Sequence, residues 1–265
     1  MDFTIKQYKK LLQSLKDQEY SFQTFEEFVK TPNNKVVILR HDVDERPHNA
    51  LKLAQTEFDM GIKSTFYFRI VKISNDPDII REIVKLGHEI GYHYEDYASS
   101  NGNLDIAIKN FENNLKYFRN YYPVKTICMH GSSMSEFDNR IIWESHKLSD
   151  FGIICEPYIS IDYSNILYLT DTGRCWDGGK FSVRDYVTNN FQFSFHKTKD
   201  IIKAINNKEL PDRVILQSHT LWTDSFKEWI WLLIRERVRN NLKIIIVKIP
   251  LIKKIAYKII QSYST

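Results

Sequence analysis

The stretch "KVVILRHDVD", residues 35–44, decides how this chain is read. Val36 to Leu39 form an apolar run rich in β-branched residues, which predicts a short buried strand. The strand ends by releasing two carboxylates, Asp42 and Asp44, one residue apart. Side chains at i and i+2 of an extended chain project to the same face. Two like charges side by side repel, and a shared cation relieves them. Turns after strands are also rich in Asp, so the pair alone marks either a turn or a site.

From this strand onward, helical and strand patterns alternate. "PHNALKLAQTEFDMG" (47–61) predicts a helix with Pro47 near its start and Gly61 at its end. "DPDIIREIVKLG" (76–87) predicts another, with Asp76 as N-cap and Gly87 after its last turn. "NLDIAIKNFENNLKYFRNYY" (103–122), "SEFDNRIIWESHKL" (135–148) and the Trp-rich "DSFKEWIWLLIRERVRN" (224–240) also read as helices. "KSTFYFRI" (63–70), "HEIGYHY" (88–94), "VKTICMH" (124–130), "FGIICEPY" (151–158), "NILYLTD" (165–171), "DRVILQSH" (212–219) and "LKIIIVKI" (242–249) read as strands. Such alternation argues an α/β chain with a parallel sheet, either an open doubly wound layer or a closed barrel. No Gly-rich phosphate loop follows any strand, which argues against nucleotide and dinucleotide binding.

The 265 residues suffice for one large α/β domain, and the 43% apolar content for a sizeable core. The 15 Tyr and 16 Phe suit both a core and a cleft that stacks on carbohydrate. The net charge of +4 is mild, and no basic tract resembles a nucleic-acid footprint. Three cysteines, Cys128, Cys155 and Cys175, form no disulfide framework and favour a reducing, cytoplasmic compartment. The N-terminus lacks the apolar core of a signal peptide; Ile5, Tyr8, Leu11, Leu12 and Leu15 instead recur at helical spacing.

The unusual polar residues fall at strand ends. Asp42 and Asp44 follow the first strand, His93 ends "HEIGYHY", and His130 ends "TICMH". Asp171 follows "NILYLT", and His219 ends "VILQSH". Each would stand at the C-terminal end of a parallel strand, where a barrel gathers its catalytic groups. Parity sorts the histidines further: His88 lies five residues before His93, and His41 is next to Asp42, so both face the other way. His48 reads as a surface residue, and His146 and His196 have no evident partner. Cys128 shares the face of His130 but reads as a small buried hydrophobe. Ser132 and Ser133 follow a Gly, yet no Gly-x-Ser-x-Gly elbow is present.

On these motifs the chain resembles the polysaccharide deacetylase family, a carbohydrate esterase group built on a distorted (β/α) barrel. The likeness runs from about Lys35 to Trp222. Asp42-Val43-Asp44 matches the family's Asp pair, "GIKSTFYF" its second strand, and "LGHEIGYHYED" its Gly-His-Glu-Ile-Gly-x-His segment. "MHGSS" and "TDTGRCW" occupy its two middle motifs, and "QSHTLW" its late strand ending in His. The resemblance implies Asp42 as general base, Asp44 and His93 as metal ligands, and His219 as the acid that protonates the leaving amine. The family places a second metal His one helical turn after the first; here that position is Tyr97. His130 is favoured as third ligand, because a zinc-like site wants nitrogen donors and three protein ligands. Glu95 and Asp96 are its rivals, and an oxygen-richer set would shift the preference toward manganese or magnesium. Arg174, Asp171, Trp222 and Glu95 are the expected substrate contacts, with Trp176 and Trp222 near enough to stack on a sugar or to be core.

The expectation is thus one barrel domain over 1–265 with extra terminal helices: 1–34 capping the barrel and 251–265 an amphipathic tail. Leu251, Ile255 and Ile259 form one stripe of that tail beside Lys254 and Lys258, which suits docking on its own barrel or on an anionic membrane face. The expected activity is metal-dependent removal of acetyl from an N-acetylated sugar or polysaccharide intermediate in the cytoplasm, or at the inner face of the membrane. The cofactor would be a divalent ion: zinc, with manganese or cobalt as alternatives. The partner would be a carbohydrate and not a nucleic acid. A degenerate glycan-binding barrel, and a metal hydrolase of another amide or ester, are the competing readings.

Overall fold

The structure, a computed structural model, describes residues 1–131, 135–176 and 187–248, with 243–248 by backbone alone. Seven strands form one sheet: β1 (Ser21–Gln23), β2 (Val36–Val43), β3 (Thr65–Phe68), β4 (Glu89–Tyr94), β5 (Ile127–Met129), β6 (Leu167–Thr170) and β7 (Arg213–His219). The order is β5-β4-β3-β2-β7-β6, and every pairing is parallel. β1 takes the lower half of one edge of β2 (Ser21 opposite Val36), and β3 takes the upper half (Arg40 opposite Thr65). A lone parallel bridge from Thr126 to Cys155 continues the β5 edge. That bridge is all the sheet pairing within "FGIICEPY", where the sequence suggested a strand.

The sheet is curled, so its two faces have different neighbours. The inner face carries Val36 and Ile38 of β2, Tyr67 of β3, Cys128 of β5 and Ile215 of β7, which pack together with Phe25, Cys155, Tyr163 and Ile166. The outer face carries Val37, Leu39, Phe66, Phe68, Ile90, Tyr92, Val214 and Leu216, which pack against the surrounding helices. Strands buried on both faces explain the near-continuous apolar runs in the sequence. The result is the distorted, incompletely closed (β/α) barrel that the motif resemblance implied.

Ten α-helices are described: α1 (Ile5–Asp17), α2 (Phe25–Lys30), α3 (Pro47–Asp59), α4 (Pro77–Lys85), α5 (Asp96–Ser99), α6 (Leu104–Arg119), α7 (Ile142–Ser145), α8 (Pro157–Ser160), α9 (Thr198–Asn206) and α10 (Phe226–Lys248). Local chemistry sets their starts. The Asp76 carboxylate accepts from the backbone N–H groups of Asp78 and Ile79, and Thr24 opens α2 with a reciprocal capping box to Glu27. The N-terminal helices have separate tasks. α2 closes the bottom of the barrel with Phe25, whose N–H donates to Thr65 Oγ1 at the start of β3. α1 lies outside, buries Tyr8, Leu11, Leu12 and Leu15, and packs beside α3 and α9.

α10 overturns another expectation. "LKIIIVKI" reads as a strand, but helix continues through Lys248. Four consecutive β-branched residues carry a strand propensity, yet no breaker separates them from the helix before; Pro250 is the first one. The tail at 251–265 lies outside the described residues.

Candidate active site

Parity along the strands assembles the site. Arg40 and Asp42 on β2, His93 on β4 and Gln217 and His219 on β7 all sit on the inner face. Asp44 and His130 lie just beyond the ends of β2 and β5. Register brings them level, since Asp42 is directly opposite His219 and His93 opposite Cys128. Gly91, two residues below His93 on the same face, makes room beneath the site. A Cβ there would stand 2.2 Å from Cε1 of Tyr67, whose ring crosses the barrel at that level.

Asp44 is the hub. Its Oδ1 stands 3.4 Å from His93 Nε2 and 3.6 Å from His130 Nε2, and its Oδ2 stands 3.9 Å from His219 Nε2. The side chain is 30% exposed at the barrel mouth, but Oδ1 is turned inward and has no hydrogen-bond partner. Burial opposes its charge, yet His130, His93 and Arg69 outweigh that and hold the Asp44 carboxyl well below the ordinary range.

Each histidine is aimed by a second bond. His93 Nδ1 lies 2.9 Å from the Cys128 carbonyl and donates to it, which turns Nε2 toward Asp44. His130 Nδ1 lies 2.9 Å from Glu95 Oε2, and Arg69 grips Glu95 Oε1 at 2.6 and 2.9 Å. Burial raises the Glu95 carboxyl, but His130 and Arg69 prevail and bring it down to about 2. His219 Nδ1 lies 2.7 Å from Asp171 Oδ1, and Trp222 Nε1 donates to Asp171 Oδ2 at 2.9 Å. Burial disfavours charge on His219, yet the Asp171 bond and the carboxylates of Asp171, Asp44 and Asp42 push the imidazole up to about 10. These carboxylates favour the imidazolium form.

Asp42 is clamped. Arg40, wholly buried, donates from Nε to Oδ1 at 2.8 Å and from Nη2 to Oδ2 at 2.6 Å. Gln217 Nε2 adds a third bond to Oδ2 at 2.8 Å. Burial raises the Asp42 pKa, but Arg40, His93 and His219 bring it below the usual value. A carboxylate offers about four lone-pair positions, so these three bonds leave about one unused.

Three expected substrate contacts have other duties. Trp222 is 0% exposed and packs against Phe3 and Tyr8, so it offers no face to a sugar. Asp171 is spent on His219 and Trp222 and orients the histidine. Arg174 is buried and donates to the Trp229 carbonyl at 3.0 Å, with its cation over the Trp229 and Phe3 rings. Glu95 holds His130 through Nδ1. Asp96 bonds Tyr92 and Asn114 and makes no contact with the cluster. Tyr97, where the family has its second metal histidine, packs its ring on Phe137.

The sequence reading missed Arg40, Arg69 and Gln217. Two of these carry a legible signal. Arg40 stands two residues before Asp42 and Gln217 two before His219, so strand parity already puts them on the same face. His41 and His88 do face outward, where both approach buried Glu57, at 2.7 and 3.7 Å. A cavity of about 240 Å³ at the other end of the barrel, near Glu26, Lys30 and Glu89, is remote from this cluster.

Among the described residues, no three His, Cys, Asp or Glu side chains already stand around a common ion position. The donors nonetheless suit one. Ligands about 2.1 Å from zinc lie about 3.4 Å apart across a tetrahedral angle. Both Asp44–imidazole separations are close to that value, and the shared oxygen is an orphan. Asp44, His93 and His130 are the carboxylate and two imidazoles that would hold it.

No family model matches this sequence, and no curated protein does. Solved structures do resemble it. BA3943 from Bacillus anthracis, described as a CE4 family pseudoenzyme, aligns with a TM-score of 0.44 at 14% identity, over 79% of this chain and 63% of its own. A Streptococcus mutans CE4 esterase aligns with a TM-score of 0.44 at 13% identity, over 84% of this chain and 88% of its own. The Xyl-CE4 domain of a xylanase from the hindgut metagenome of Trinervitermes trinervoides gives 0.37 at 16% identity, over 79% and 85%. The chain spans less than two thirds of the length of BA3943. These are distant likenesses of overall fold to CE4 proteins, a pseudoenzyme among them, and no residue role here rests on them.

Proposed function

We propose that the chain is a metal-dependent hydrolase that removes an acetyl group from an N-acetylated sugar or polysaccharide intermediate. The orphaned Oδ1 of Asp44 carries this reading: a buried anionic oxygen facing two imidazole Nε2 atoms, with His219 alongside, is a place for a cation next to a proton donor. Asp44, His93 and His130 would hold a divalent ion, with zinc preferred on its nitrogen donors and manganese or cobalt as alternatives. Such an ion polarises an acyl oxygen and lowers the pKa of water.

The remaining steps belong to the protein. His219, favoured as the imidazolium and pointed by Asp171, gives its proton from Nε2 to the departing amine. Asp42, with about one lone-pair position unused, accepts a proton from the attacking water; the Arg40 clamp fixes its direction at the expense of basicity. The choice of a carbohydrate amide rests on the motif resemblance of residues 35–222.

The same clamp favours a second reading, a barrel that binds glycan without turnover. Acetate release from a panel of N-acetylated saccharides, with zinc, manganese or cobalt supplied, separates the two. Turnover should fall about 10²–10⁴-fold in His219→Ala. Saccharide binding with no acetate release under any metal supports the binding barrel.

A further inference from the structure

We propose that the outward face of α10 seats this chain on the surface of an anionic lipid bilayer. α10 carries a winding run of exposed apolar side chains. Phe226, Ile230, Ile234, Val238 and Leu242 recur every fourth residue, and they are 60, 37, 59, 53 and 49% exposed. Trp231, 50% exposed, lies beside them. The face turned to the barrel is mixed, with Leu232 0% exposed. Glu236 and Asn240 are 5 and 6% exposed, and Asn240 donates to the Gly173 carbonyl. The helix is fastened by buried Leu232, by Trp229 Nε1 donating to the Asp2 carbonyl, and by ion pairs and hydrogen bonds: Arg235 to Glu45 at 2.5 and 2.8 Å, and Glu228 to Arg46 and Thr223. The apolar stripe makes none of those bonds. Five successive turns of exposed large apolar side chains mark an interaction surface.

Charge selects the occupant. Lys227 and Arg237 are exposed among the stripe residues. From Arg237 to the last residue the sequence holds seven Lys and Arg and no Asp or Glu. A second copy of this face would bring like charges, Lys227 and Arg237, to the same interface. An anionic bilayer offers apolar depth and negative headgroups together. Trp231, held between the guanidinium groups of Arg46 and Arg235 at 5.0 and 4.8 Å, is the residue type that settles at that interface. Among the described residues no helix is long and apolar enough to cross a membrane. The stripe is distinct from the tail at 251–265.

The test is sedimentation of the full chain with vesicles of phosphatidylcholine alone or with about 30 mol% phosphatidylglycerol. The variant is Ile234→Asn with Val238→Asn, which keeps the charge and alters only exposed positions; an unchanged melting temperature verifies its fold. The full chain should bind the anionic vesicles, bind neutral ones weakly, and lose at least about tenfold in affinity in the double variant. Asp44→Ala should bind like the parent, so this inference and the metal reading fail separately. The proposal is overturned if the parent does not bind anionic vesicles, or if the double variant binds as well. It is also overturned if the parent is instead a dimer that the double variant dissociates.

Discussion

His93 and His88 show how much one residue's direction decides. Both end in buried surroundings five positions apart, but His93 turns inward to Asp44 and His88 outward to Ser64 and the Ala54 carbonyl. His93→Ala should abolish tight metal binding, measured by metal content after dialysis. His88→Ala should keep the metal and instead lose stability by about 1–3 kcal/mol, because it strips a partner from a buried polar network. Equal metal loss in both would contradict the parity assignment. Glu95 gives a pH test. Its folded pKa is about 2, below its unfolded value near 4.5, so its stabilisation is present above pH 4.5 and lost as pH falls toward 2. Glu95→Gln should therefore cost on the order of 2 kcal/mol at pH 6–7 and almost nothing near pH 2, read from urea melts across that range. The Asp and His residues were legible because strand parity and strand ends are properties of sequence order. The duties of Trp222, Asp171 and Arg174 were not. Nearness in sequence says nothing of direction, and all three turn toward Phe3, His219 or Trp229.

At the scale of elements, the strand–helix alternation from Val36 to His219 was written in the apolar runs and their caps. What escaped was context. β1 is three residues long, too short for a periodic signal, and exists because the lower edge of β2 is free below β3. The Ile-rich end of α10 reads as strand by propensity and is helix by continuity with the turns before it. Gly91 is legible only in three dimensions, since nothing in the sequence reveals that Tyr67 passes where its Cβ would be. Gly91→Ala should force the Tyr67 ring and its bond to Thr126 to shift, costing about 1–3 kcal/mol in thermal or urea unfolding. No change in stability would mean that the ring is free to move, and that the floor of the site is not rigid.

The whole molecule is a curled parallel sheet whose inner face changes character with height. Phe25 and Val36 lie at the bottom, Ile38 above them, then buried Arg40, and at the mouth the carboxylate–histidine cluster, with Tyr67 level with Asp42 and Cys128 with His93. The buried guanidinium under the carboxylates offsets part of their mutual repulsion, and a cation at Asp44 would relieve the remainder. The central claim is therefore that this mouth is built for a divalent ion. The direct test is elemental mass spectrometry of the purified chain beside Asp44→Ala, each after incubation with zinc, manganese or cobalt and removal of the excess. The expected result is about one ion per chain in the parent and none retained in the variant. An ion-free parent under all three metals, or equal loading of the variant, would contradict it.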